Sequence, residues 1–99
     1  MDEEIINDNM IELVSIMTQI EPALLASFLE SMLTPREKND IAKRWALVKL
    51  LDRGMTQRKI AEELQISLCK ITRGSREYRR DNSPVRQFLQ IGKKLNLLD

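Results

Sequence analysis

Proline and glycine are scarce in this chain, and where they fall limits what it can form. Only three of each occur in 99 residues, and all six read as punctuation at helix ends, with proline suited to a first turn and glycine to a left-handed stop. Between them the apolar residues recur at helical spacing, and no segment alternates as a half-buried strand does. Ile6, Met10, Leu13, Met17 and Ile20 keep one stripe on one helical face until Glu21-Pro22 interrupts it. Leu24, Leu25, Phe28, Leu29, Met32 and Leu33 mark a second helix. Thr34-Pro35-Arg36-Glu37 reads as a capping box with proline in the first turn. It opens a third helix that carries Ile41, Trp45, Val48 and Leu51 and ends near Arg53, with Gly54 as its terminator. Thr56 and Ser67 are expected to cap two short helices, and Ser83-Pro84 precedes a last one with Val85, Phe88, Leu89 and Leu95. The expectation is an all-α fold of six helices in one domain, fraying from Asn96 to Asp99. Its segments are residues 1–33, a core helix over 34–55, a paired-helix region over 56–80 and a C-terminal helix over 81–99.

Composition removes several function classes. The chain holds one cysteine, Cys69, and no histidine, so an intrachain disulfide, the common zinc sites and a Cys–His nucleophile pair all lack their parts. Aromatic residues make up 4% of the chain, which leaves little for stacking on sugars or bases. An enzyme is not expected, and neither a metal nor a cofactor is called for. The opening MDEEIINDN is acidic where a signal peptide carries positive charge. No apolar run approaches the roughly 20 residues that span a bilayer. A soluble, cytoplasmic chain with no membrane partner is the expectation.

The net charge of +1 conceals a strong asymmetry. Residues 1–33 hold seven acidic groups and no lysine or arginine, whereas all 16 basic residues lie beyond, against eight acidic ones. Such a split points the basic part toward a polyanion. The same region carries Thr56-Gln-Arg-Lys-Ile-Ala-Glu-Glu-Leu-Gln-Ile-Ser-Leu-Cys-Lys-Ile-Thr-Arg-Gly-Ser75, which reads as a helix-turn-helix. Ile60, Leu64, Ile66 and Ile71 supply its apolar corner, and small Ala61 lets the helix axes approach. Gln65 stands where many such turns use glycine, because a left-handed backbone costs other residues roughly 1–2 kcal/mol. From its start the second helix is expected to present Ser67, Leu68, Cys69, Lys70, Thr72, Arg73 and Arg76 to DNA at the major groove, with Gln57 and Arg58 on phosphates. A helical hairpin that only builds a core leaves Arg73, Arg76, Arg79 and Arg80 without a role.

Met32-Leu33-Thr34-Pro35, Arg44, Arg53-Gly54, Gln57-Arg58, Glu63-Leu64 and Ile71-Thr72-Arg73-Gly74-Ser75 together resemble the tryptophan repressors over about residues 31–91. That resemblance implies an intertwined homodimer, with residues 1–33 as dimerisation helices. It further implies L-tryptophan as corepressor and double-stranded operator DNA as partner, hence a tryptophan-dependent transcriptional repressor. Residue by residue, Arg44 and Arg73 are implied to lie on the two faces of the indole. Arg73 and Thr34 would take the carboxylate, and backbone carbonyls near Ser31 and Leu33 the ammonium. Gly74 would leave room for the ligand. Long apolar faces on short N-terminal helices make interleaving of two chains physically sensible.

Three departures stand out. Glu77 replaces a serine near the ligand's amino group, where a carboxylate either pairs with the ammonium or repels the ligand's own carboxylate. Lys70 replaces a small polar residue and can reach phosphate or a guanine edge. The link from Gly54 to Gln57 is one residue shorter than the family pattern. Two alternatives follow: a DNA-binding regulator on the same scaffold answering another ligand or none, and a helical protein-interaction module built on the acidic N-terminal third. Trp45 is expected in the core or a dimer interface, with the border of the ligand site as its other option. Cys69 is expected to be a small groove-facing residue rather than a redox sensor.

Overall fold

Caps set where the helices begin. The computed structural model describes residues 2–98, and its elements are α1 (Glu3–Met17), α2 (Pro22–Met32), α3 (Pro35–Asp52), α4 (Gln57–Leu64), α5 (Leu68–Arg79) and α6 (Pro84–Lys94). The fold is all-α, with six helices and no strand among the described residues. The side chains of Asp2, Thr56, Ser67 and Ser83 accept hydrogen bonds from the backbone N–H groups of Ile5, Lys59, Lys70 and Arg86, satisfying donors that the first turn leaves free. At the start of α3 the capping box is complete: Glu37 N donates to Thr34 Oγ1 at 3.1 Å, and Thr34 N donates to Glu37 Oε1 at 2.9 Å.

The chain divides into two units, residues 1–38 and 39–99. In the first, neither α1 nor α2 buries a residue within the single chain. Leu13, Met17 and Ile20 of the expected stripe are half-buried, while Ile6 and Met10 are exposed. Ile5, Ile11 and Ile16, outside that stripe, are exposed too, so α1 is apolar on more than one face. Lys38 pairs with Glu30.

The second unit has its core where the paired-helix region meets α3. Leu47, Ile60 and Ile71 are essentially inaccessible to solvent, and Leu50, Leu51, Met55, Ala61, Leu64 and Ile66 pack against them. Each fully buried aliphatic side chain contributes about 1.5–3 kcal/mol. The stripe expected on α3 holds in part. Val48 is buried and Leu51 packs on the core as expected, but Leu47, outside the stripe, is buried too and Ile41 is exposed, because α3 turns Leu47, Leu50 and Leu51 toward this core. Phe88 and Leu95 are likewise exposed, and α6 buries Leu89 and Gly92.

The glycines also depart from expectation. Gly54 ends α3 with φ +86°, and the bonds Gly54 N→Leu51 O and Met55 N→Leu50 O close the helix. Gly74 and Gly92, however, lie inside α5 and α6. A Cβ on Gly74 would stand 2.3 Å from Leu47 Cδ2, and one on Gly92 would stand 2.8 Å from Leu98 Cγ. Both positions therefore serve close packing rather than termination. The fraying expected from Asn96 is also corrected. Asn96 takes φ +58°, and Leu97 N donates to Gly92 O, so residues 96–98 fold back as a left-handed cap; Asp99 lies outside the described residues.

Candidate nucleic-acid and ligand site

Helices α4 and α5 join through Gln65, Ile66 and Ser67. Gln65 adopts the left-handed conformation anticipated for this position, with φ 52° and ψ 50°, and its N–H caps α4 by donating to Ala61 O. Ile60 and Ile71 bury the corner between the helices, flanked by Ala61, Leu64 and Ile66, as the sequence predicts. The two-residue link Met55-Thr56 enters α4 through a regular threonine cap, so the shortened link leaves the start of that helix intact.

The outward face of α5 carries its polar and charged side chains. Leu68, Cys69, Lys70, Thr72, Arg73 and Arg76 are all exposed, as is Arg58 on α4. Leu68, Cys69, Thr72, Arg73, Arg76 and Glu77 line a shallow concavity along that face. Ser67 is exposed but its Oγ is occupied as the α5 cap, and Thr72 Oγ1 donates to Leu68 O at 2.9 Å. Gln57 is placed differently from its expected phosphate role. Its Nε2 donates to Ser75 Oγ at 3.3 Å, and Ser75 is buried, so this amide joins α4 to α5.

Behind α5 lies a cavity of about 520 Å³. Arg44, Trp45 and Val48 line it from α3, and Lys70, Arg73, Gly74 and Glu77 line it from α5. Arg44 and Arg73, assigned to the two faces of one planar ligand, thus share one cavity. Gly74 belongs to its wall, although the space left by its missing side chain is taken by Leu47. Ser31, Leu33 and Thr34 belong to the first unit: Ser31 lies in α2, Leu33 is its C-cap, and the Thr34 hydroxyl oxygen is held in the capping box.

Several lining residues escaped the sequence reading, chiefly Asp40, Ile41, Lys43, Val48 and Val85. A helical signal was present for most of them. Positions 40, 41, 44, 45 and 48 share a face of α3, and 70, 73, 74 and 77 share a face of α5. Trp45 is half-buried and borders this cavity, and Lys70 lines it while belonging to the exposed first turn of α5. Arg44, Arg73, Lys70 and Asp40 make no ion pair among the described residues, whereas Glu77 pairs with Arg80 at 3.2 Å.

The rear of α5 is fixed by a polar cluster that sequence periodicity did not reveal. Tyr78 Oη donates to Asp52 Oδ1 at 2.8 Å, and Lys93 of α6 pairs with the other carboxylate oxygen. Asp52 ends α3, where a negative charge opposes the helix dipole. The hydrogen bond from Lys93, then that from Tyr78, hold its carboxyl below the usual carboxylate range. The same bond to Asp52, followed by desolvation, pushes the Tyr78 hydroxyl above its ordinary value. One carboxylate thereby joins α3, α5 and α6.

No helix is long and apolar enough to cross a membrane among the described residues, and no cluster of metal-ligating side chains occurs among them. Comparison with known proteins agrees with this geometry. The profile of the family described as "Trp repressor protein" matches residues 7–92. Two proteins named "Trp operon repressor homolog", from Chlamydia trachomatis serovars L2 and D, are 38% identical to the chain over 55 residues. Those 55 residues cover 54% of this chain and 58% of each relative, so the chain spans little more than half the length of the curated relatives it matches. No solved structure gives a significant match. The matched family is regulatory rather than enzymatic. Because its profile runs through both walls of the cavity and the whole paired-helix region, the chain belongs to the Trp repressor protein family.

Proposed function

We propose that this chain is a DNA-binding transcriptional repressor that acts as a homodimer and uses L-tryptophan as corepressor. The observation that carries the reading is the shared cavity of Arg44 and Arg73, one of whose walls is the helix that offers its other side to DNA. Planar guanidinium groups stack on aromatic faces and stay charged, so an indole between them is held without a buried unpaired ion. The ligand acts by population shift. It favours the arrangement of α5 to which it binds better, and 1–3 kcal/mol of coupling makes DNA binding roughly 5–150-fold tighter.

On the DNA side, the first turns of α5 enter the major groove with Lys70, Thr72 and Arg73 near base edges, while Arg58 and Arg76 meet phosphates. Two copies present two such helices to half-sites about one helical turn apart, ~34 Å. The exposed apolar residues of α1 and α2 support the dimer, since a helix apolar on several faces needs covering and a second copy supplies matching surface.

The test is fluorescence polarisation on duplexes selected from a random pool in the presence of L-tryptophan. The expected result is binding that tightens at least about fivefold with the amino acid, weakens steeply with salt and loses its ligand response in Arg73→Ala. Equal affinity with and without tryptophan overturns the corepressor role. Affinity that barely changes with salt overturns the DNA assignment.

A further inference from the structure

We propose that Tyr78 and Asp52 are positioning residues that hold α5 at its DNA-competent spacing from α3 before any ligand binds, and so set how strongly a ligand changes DNA affinity. The proposal rests on the reading of α5 as the DNA-binding helix and of the α3–α5 cavity as the ligand site. Neither residue lines that cavity or the concavity on the outward face of α5. They join the two walls elsewhere, through the bond from Tyr78 Oη to Asp52 Oδ1 at 2.8 Å.

Along α3, Asp52 lies eight residues beyond Arg44, and along α5, Tyr78 lies five beyond Arg73. The bond therefore stands ~12 Å and ~8 Å along the helices from the two arginines. At the arginine end no ion pair crosses the cavity among the described residues. Leu47 packs against Ile71 and Gly74 on α5, but apolar contact is non-directional and lets one helix rock on another, whereas a hydrogen bond fixes both distance and angle. A tilt of about 10° at Tyr78 moves Leu68, ten residues and ~15 Å away at the start of α5, by roughly 3 Å. Hydrogen bonds to base edges do not survive a shift of that size.

The bond has the support it needs to persist. The Asp52 side chain is 19% accessible, and Lys93 of α6 pairs with its other oxygen, which leaves Oδ1 to Tyr78. Those two partners hold the Asp52 carboxyl low while the bond to Asp52 raises the Tyr78 hydroxyl, so near neutral pH the acceptor is ionised and the donor protonated. Such a charge-assisted bond is stronger than a neutral one. A ligand between Arg44 and Arg73 ties the same two walls a second time, by separate contacts. Without the bond the ligand-free chain spends less time in the competent arrangement, and the ligand has more to restore.

Fluorescence polarisation of the full chain on one selected duplex, with and without saturating L-tryptophan, tests the proposal. In Tyr78→Phe, DNA affinity without the amino acid is expected to fall about fivefold or more, while affinity at saturation stays within about twofold of the natural chain. The tryptophan effect then widens, whereas a merely structural loss weakens both affinities alike. Lys93→Gln, which removes the cation supporting Asp52, should widen the effect in the same direction, and Lys93→Arg, which keeps that cation, should not. This pair decides the matter if Tyr78→Phe fails to fold, judged by circular dichroism. An effect of unchanged or smaller size in Tyr78→Phe overturns the proposal and leaves the corepressor reading standing, as does equal behaviour of the two Lys93 variants. No tryptophan effect in the natural chain overturns the corepressor reading itself, and the proposal with it.

Discussion

Replacing Gly74 with alanine tests how α3 and α5 are packed behind the candidate DNA-binding face. The added Cβ would lie 2.3 Å from Leu47 Cδ2 and 3.2 Å from Leu47 Cγ, and the first distance is more than an ångström inside ordinary carbon contact, ~3.5–4.0 Å. Leu47 is 1% exposed, and although it borders the α3–α5 cavity, turning away from the added methyl takes its side chain out of its packing with Ile60 and Ile71. Overpacking of this kind costs about 1–3 kcal/mol. Mid-helix alanine offsets about 0.8–1.0 kcal/mol through its better helix propensity. The crowding here belongs in the upper part of its range, which leaves a net loss of about 1–2 kcal/mol, or roughly 5–15 °C in melting temperature for a chain of this size.

A double-mutant cycle isolates the contact. Leu47→Ala alone should cost about 2.7–5 kcal/mol through the cavity it opens. In that background the alanine methyl at position 74 meets empty space, so Gly74→Ala should stabilise by just under about 1 kcal/mol. The difference between the two backgrounds is a coupling of about 2–3 kcal/mol. Urea unfolding at fixed protein concentration and low temperature measures all four proteins, with concentration fixed because an oligomer's stability depends on it. A rise in stability for Gly74→Ala in the natural background, as at an unconstrained helical glycine, would refute the packing argument.

Tyr78→Phe should cost about 1–2 kcal/mol near neutral pH by removing a hydrogen bond to the Asp52 carboxylate. Asp52 has its pKa lowered by folding and stabilises the fold above its unfolded value, about 3.9, losing this as pH falls through the folded value; Tyr78 has its pKa raised and contributes below about 10. The gap between natural and variant melting temperatures should therefore hold across neutral pH and close at both extremes, and a pH-independent gap contradicts the assignment. Arg58→Ala should lower the slope of log affinity for DNA against log salt by about 1. Gln57→Ala should leave that slope unchanged and lower stability by about 0.5–1.5 kcal/mol, since buried Ser75 loses its partner; a reversed pattern would return Gln57 to the phosphate.

Local chemistry made most of the fold legible in the sequence. Threonine and serine before a run of helix formers, Thr34 with Glu37, and Gly54 after α3 act on the backbone next to them, and each does in the structure what its position predicts. Long-range packing was less visible. Gly74 resembles a helix end from its neighbours alone and is explained only by Leu47, 27 positions earlier. Asp52 looks like an ordinary surface acid at a helix terminus until Tyr78 and Lys93 arrive from two other helices. The cavity was partly legible. Arg44, Arg73, Gly74 and Glu77 came from the family resemblance, whereas Asp40, Lys43 and Val48 needed the helical periodicity around Arg44 to be read as a wall rather than as a solvated face. The burial of Leu47 beside Val48, and the exposure of Ile41, have the same origin, since a helix with a broad apolar surface does not announce which part of it meets the core.

Titration calorimetry of the purified chain with L-tryptophan tests the central claim most directly, because it reads affinity and stoichiometry together and the intrinsic Trp45 does not interfere. The account predicts one saturable site per chain, abolished or strongly weakened in Arg44→Ala and Arg73→Ala while both variants keep their helical circular dichroism. No heat at millimolar ligand at two well-separated temperatures, which guards against a vanishing enthalpy at one of them, would contradict it.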